Sequence, residues 1–90
     1  MIDIKQIQYF IACAERGSFS SAAEALFTTQ PNVSKAIKGL EEALEIRLFE
    51  RHPRGIRLTA EGERIYQYAV RIKENMDEML QSKQFYDAEK

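Results

Sequence analysis

The 90-residue chain has no tryptophan, one cysteine, one histidine, two prolines and four glycines. Each scarcity removes a class of protein. A single cysteine cannot close a disulfide within the chain, so the fold has to rest on a hydrophobic core, and at this length that means one modest core. Cys13 and His52 have no partners at metal-ligand spacing, so no metal site is expected. Cys13 reads as a small buried apolar residue inside a helix, in a reduced, cytoplasmic setting. There is no Ser/His/Asp or Cys/His set and no glycine-rich phosphate loop, so no enzyme is expected either. No segment reads as a signal peptide or is apolar for long enough to span a membrane. Neither sign of charge dominates: 13 Lys and Arg stand against 14 Asp and Glu, for a net charge of -1.

What is present is concentrated in residues 20–44, SSAAEALFTTQPNVSKAIKGLEEAL, which read as two helices joined by a very short turn. Ser20 or Ser21 can cap the first, with Ser21 and Glu24 at capping-box spacing and Ala22, Ala23 and Leu26 as its apolar face. Phe27 and Thr28 fall at the turn. Phe27 stands where many such turns carry glycine, so its ring is expected in the core and a positive dihedral angle avoided. Thr29 can cap the second helix and Pro31 suits its first turn, where a missing amide hydrogen costs little. Val33, Ile37, Leu40 and Leu44 recur at helical spacing and must face inward, leaving Pro31, Ser34, Lys35 and Lys38 together on another side.

Two helices with a polar face at the start of the second are the layout of a helix-turn-helix entering the major groove of DNA. Gln30, Pro31, Asn32, Ser34 and Lys35 are the candidate base readers. A Gln amide matches an adenine edge, Lys donates to guanine, and a Pro ring can touch a thymine methyl. Asn32 either adds an adenine contact or lies along the backbone. Thr28, Thr29 and Lys38 suit phosphates, which add affinity without sequence information. A polar stripe alone is more often just a solvated helix face, so the next segment matters. In residues 47–62, RLFERHPRGIRLTAEG, short strands over 48–50 and 56–58 flank a turn holding His52, Pro53, Arg54 and Gly55. A hairpin placed there is a wing. It carries Arg51, Arg54 and Arg57 with no acidic residue between them; Arg51 suits a phosphate and Arg54 a narrow minor groove, where the negative potential is deepest.

On either side lie the supports. Ile4, Ile7, Phe10, Ile11 and Ala14 form one stripe of a first helix that Gly17 ends, and Phe19 is expected to plug its junction with the next. Thr59 can cap a last helix from Ala60 to the low eighties. Along it Ile65, Ala69, Ile72, Met76 and Met79 alternate in steps of four and three, the seam of a coiled coil, while Tyr66, Tyr68 and Val70 can pack on the chain's own domain. Beyond Ser82 the pattern is lost and the end is expected to fray. The charge balance is explained by placement: Lys35, Lys38 and the wing arginines cluster, Glu41, Glu42 and Glu45 are expected beyond the groove end, and Glu74, Asp77 and Glu78 lie on the last helix.

The order of these elements resembles the N-terminal DNA-binding domain of LysR-type bacterial transcriptional regulators over nearly the whole chain. Residues 7–26, 30–44 and 47–62 carry the resemblance. It implies a mainly α fold: a winged helix-turn-helix of three helices and a two-stranded wing over residues 1–58, then a linker helix over 59–90 that pairs two chains. By position, Gln30, Pro31, Ser34 and Lys35 fall on the family's base and phosphate contacts and Arg54 on its wing contact. Asn32 stands where a small residue is more frequent and Lys35 where Arg is common; Lys is a point charge and not a planar fork. The resemblance also implies double-stranded DNA as partner, an interrupted inverted repeat as its site, a homodimer that becomes a tetramer in a longer protein, and no cofactor in this stretch. A further C-terminal domain binding a small-molecule effector is expected beyond this chain. A rival from another class is a winged helix whose wing arginines and Lys35 meet acidic protein.

Overall fold

The computed structural model describes the backbone of residues 1–88 and the side chains of residues 1–82. Four helices and one hairpin follow in the order α1 (Ile4–Arg16), α2 (Phe19–Ala25), α3 (Gln30–Leu44), β1 (Phe49–His52), β2 (Gly55–Leu58) and α4 (Ala60–Ala88). This is the expected winged helix-turn-helix followed by a long helix.

Helix α1 begins in a capping box. Asp3 Oδ1 accepts from Gln6 N at 2.8 Å while Gln6 Oε1 accepts from Asp3 N at 3.0 Å. It ends on Gly17, whose φ of 73° lies in the left-handed region, where a helix-ending glycine meets no Cβ clash. Ile7, Phe10, Ile11 and Cys13 are buried, but Ile4 is exposed and Ala14 only half-buried. The stripe therefore starts one turn later than its spacing suggests.

Helix α2 is capped by Ser18, not by Ser20 or Ser21: Ser18 Oγ accepts from Ser21 N at 3.0 Å. Phe19, the first helical residue, packs edge-on against Phe49 of the wing, centroids 6.0 Å apart, instead of simply plugging the α1–α2 junction. The turn corrects a second expectation, because Phe27 has a φ of 56° and is 97% exposed. Thr28 N donates to Ala23 O at 3.0 Å and Phe27 N to Glu24 O at 3.2 Å. That paired closure satisfies the last carbonyls of α2 and requires a left-handed residue at position 27, which turns the ring outward.

Helix α3 starts where expected. Thr29 Oγ1 accepts from Asn32 N at 3.3 Å, Pro31 sits in the first turn, and Val33, Ile37 and Leu40 are buried. In its last turns the Glu41 carboxylate accepts from Leu48 N at 2.7 Å, tying α3 to the chain entering the wing. The wing strands pair antiparallel as Phe49↔Leu58, Glu50↔Arg57, Arg51↔Ile56 and His52↔Gly55. The turn is thus only Pro53 and Arg54, tighter than the four residues expected. Gly17 O accepts from Ile56 N at 2.9 Å, and a Cβ on Gly55, whose φ is 139°, would lie 2.2 Å from Gly17 O. Only glycine lets the wing close onto α1 there.

Thr59 caps α4, with Oγ1 accepting from Gly62 N at 2.9 Å and donating to Arg47 O at 2.6 Å. The first half of α4 completes the core. Tyr66 meets Phe10 edge-on at 6.2 Å, Ile65 packs on the buried cluster and Ala69 is 1% exposed. Two members of the expected seam therefore face their own domain, since one period serves either kind of partner. Ile72 is 37% and Met79 67% exposed, with Met76 half-buried between them. Tyr68, expected to pack inward, is exposed, and Arg71 lies 5.8 Å from its ring centroid. The helix runs on to Ala88, past the expected end near Ser82, and spans about 43 Å at roughly 1.5 Å per residue. Part of the expected frayed end, residues 89–90, lies outside the described residues.

Candidate nucleic-acid interface

The residues opposite the buried stripe of α3 form its outer face. Pro31, Lys35 and Lys38 are exposed and Ser34 is half-buried. No acidic residue stands in the first turn, so the partial positive charge of the helix start is uncompensated on the side that carries Gln30 and Pro31. Among the described residues the ion pairs are Arg57–Glu50 at 2.8 Å and Lys73–Asp77 at 3.1 Å. Lys35, Lys38, Arg51 and Arg54 thus have no acidic partner among the described residues. Such unpaired cations are available to phosphate.

The polar side chains at the helix start are already tied together. Asn32 Nδ2 donates to Thr28 Oγ1 at 3.0 Å, a bond that braces the turn and leaves the second amide hydrogen and Oδ1 of this exposed side chain for an outside partner. Thr28 and Thr29 both accept through their hydroxyl oxygens, so each keeps its own proton for an outside acceptor such as a phosphate oxygen. Ser20 Oγ donates to Gln30 Oε1 at 3.1 Å. That bond holds one lone pair of the Gln30 carbonyl and leaves its amino group free to donate. Ser20 was not a sequence candidate beyond a possible cap; only the packing of α2 against α3 brings it to Gln30.

The wing departs from expectation in one respect. Arg57 is opposite Glu50 and bonded to it, so the cationic part of the wing is Arg51 and the turn residue Arg54. Arg51 lies 5.8 Å from the Phe19 ring centroid. His52 Nδ1 accepts from Arg54 N at 3.2 Å, a bond across the tip of the kind Asp or Asn side chains make in turns. The acidic residues in the last turns of α3 differ among themselves. Glu41 is turned toward Leu48 N, whereas Glu42 lies between a shallow depression shared with Asn32, Lys35 and Lys38 and another shared with Glu45 and Arg47. Burial pushes the Cys13 thiol up to about 12 from its ordinary 9.0, which makes it an inert core group.

This arrangement has counterparts among known proteins. The pattern of the bacterial regulatory helix-turn-helix proteins, lysR family, matches residues 4–63. The HTH-type transcriptional regulator BenM of Acinetobacter baylyi is 40% identical over 79 residues, covering 88% of this chain and 26% of its own length. The crystal structure of a BenM_DBD/benA site 1 DNA complex matches with a TM-score of 0.87 at 38% identity, over 93% of this chain and 94% of that one. A CbnR_DBD-DNA complex matches with a TM-score of 0.85 at 36% identity, over 93% of this chain and 97% of that one. The chain thus spans about a quarter of BenM's length. No helix among the described residues is long and apolar enough to cross a membrane.

Proposed function

The chain belongs to the lysR family of bacterial regulatory helix-turn-helix proteins, and from that premise we propose that it is the sequence-reading, double-stranded DNA-binding domain of a transcriptional regulator. Helix α3 enters the major groove, with Gln30, Pro31, Asn32, Ser34 and Lys35 toward base edges. Thr28, Thr29, Lys38 and Arg51 take phosphates, and Arg54 at the two-residue wing turn enters the minor groove. The single observation that carries this reading is the unpaired cationic face of α3 and the wing, in a fold shared with domains captured on duplex DNA.

The domain acts as a homodimer on an interrupted inverted repeat, two copies of α3 reaching successive major grooves on one side of the duplex. The part of α4 past Ala69 provides the pairing surface through Ile72, Met76 and Met79. In the longer protein a C-terminal domain binds a small-molecule effector and the dimers assemble as a tetramer, in the cytoplasm; the DNA-binding domain itself uses no cofactor. What supports the dimer is the exposure of Ile72 and Met79, with Met76 half-buried between them, on a helix that has left its own core.

The test is Lys35→Ala combined with Arg54→Ala. Both side chains are exposed, so the fold and the dimer persist while duplex binding is lost, as read by fluorescence anisotropy beside circular dichroism. Duplex binding that survives both changes would refute the assignment, and binding transferred to an acidic protein surface would favour the protein-contact reading.

A further inference from the structure

An α-helix with its side chains is roughly 10–12 Å thick and a B-form major groove about 12 Å wide, so a helix seated in it meets a sugar-phosphate wall on each flank. One flank of α3 is supplied by the wing side, where Arg47 and Arg51 border a small depression beside Ile37 and Glu41. The other flank, marked by Asn32, Ala36 and Gly39, runs against the start of α1. There Lys5 and Gln6 face Lys35, Lys38 and Glu42 across an open depression of about 560 Å³. The Gln6 amide lies over Gly39, where a Cβ would stand 2.7 Å from Gln6 Nε2.

Lys5 is exposed, has no acidic partner among the described residues, and holds its ammonium 5.4 Å from the Tyr9 ring centroid. Asp3, at the edge of the same depression, has its carboxylate engaged with Gln6 N. Glu42 is exposed and makes no hydrogen bond or ion pair there among the described residues.

We propose that this depression seats the second wall of the major groove, with Lys5 donating to a backbone phosphate and Glu42 weakening the seat by repulsion. The inference rests on the reading of α3 as the major-groove helix and adds α1 as a third contact element. A phosphate contact carries no sequence information, so Lys5 acts alike on every duplex.

The experiment measures affinity over a series of salt concentrations for a duplex recovered by selection and for a scrambled duplex of equal length. Wild type is compared with Lys5→Ala, Lys5→Gln, Lys5→Arg, Lys38→Ala and Glu42→Gln, each checked by circular dichroism. Lys5→Ala and Lys5→Gln weaken both duplexes by the same factor, about three- to tenfold, and lower the salt slope by about 0.9 per chain. Lys5→Arg keeps the slope, and Glu42→Gln tightens both duplexes about two- to threefold. Neutral Lys5 variants that bind with wild-type slope and affinity, while Lys38→Ala loses a phosphate's worth of slope, would overturn the proposal. Wild type that binds neither duplex would overturn the reading of α3 itself.

Discussion

Leu40 on α3 and Met79 on α4 are both apolar residues on helix faces, yet Leu40 is fully buried while Met79 is 67% exposed. The contrast extends to their surroundings. Around Leu40, residues from α1, α2, α3, the wing and the start of α4 form one continuous buried cluster that reaches Ala69. Past Ala69 the same helix carries Ile72, Met79 and Leu80 exposed. The head is complete with its own side chains, whereas the far half of α4 presents apolar area that only a second surface can remove from water. Folding of the head and the pairing proposed for the far half of α4 are therefore separable, and substitutions can be aimed at one without the other.

The largest effect falls inside the head. Leu40→Ala removes a side chain with no solvent exposure and destabilises by about 2–5 kcal/mol, read by denaturant unfolding; an unchanged midpoint would mean that the core is not centred there. Next comes the opposite manipulation. Ile72→Glu with Met79→Glu places charges in the proposed pairing surface and weakens the dimer on the order of a hundredfold or more, read by light scattering, with thermal unfolding of the head unchanged. An intact dimer would mean that these residues do not pair, and an unfolded head would erase the division drawn above.

Cys13 gives a subtler probe of the head. Its thiol is raised to about 12 from 9.0 by burial, so the folded state keeps the proton after the unfolded state has released it. Stability is fully present below pH 9 and is lost as pH climbs toward 12. One pH unit above its ordinary value the loss is about 1 kcal/mol relative to a Cys13→Ala chain measured in parallel; identical slopes for the two chains would contradict it. The smallest effect is a gain. Phe27 holds a φ of 56° with its ring almost wholly exposed, so Phe27→Asn, which tolerates that conformation, stabilises by about 1 kcal/mol in thermal unfolding without altering the core.

Much of this was legible in the residues themselves. Thr29, Pro31 and the Val33, Ile37, Leu40 spacing place α3 almost to the residue, and Thr59 places the start of α4, because caps and periodicity are local signals. What escaped depends on contacts distant in sequence or on how a turn closes. Ser18, Ser20 and Ser21 can each cap a helix, and the packing of Phe19 against Phe49 selects the first. The exposure of Phe27 follows from how α2 closes its last carbonyls, which no hydrophobicity pattern encodes. Ile65 and Ala69 share a period with Ile72, Met76 and Met79, and periodicity does not say whether the partner is the chain's own domain. Arg57 reads as a free cation until the wing register puts Glu50 opposite it. At the site, the identities of the reading residues were visible, but the bonds that orient them, Ser20 to Gln30 and Asn32 to Thr28, emerge only when α2 and the turn are in place.

The central claim is that this domain reads sequence as a pair. It is tested most directly by selecting binding sites from a random duplex library with the domain, at two salt concentrations and with competitor DNA present. A domain that reads as a pair recovers an inverted repeat with a fixed gap, persisting at the higher salt. Recovery of single unpaired half-sites, or of no sequence above background, would contradict it.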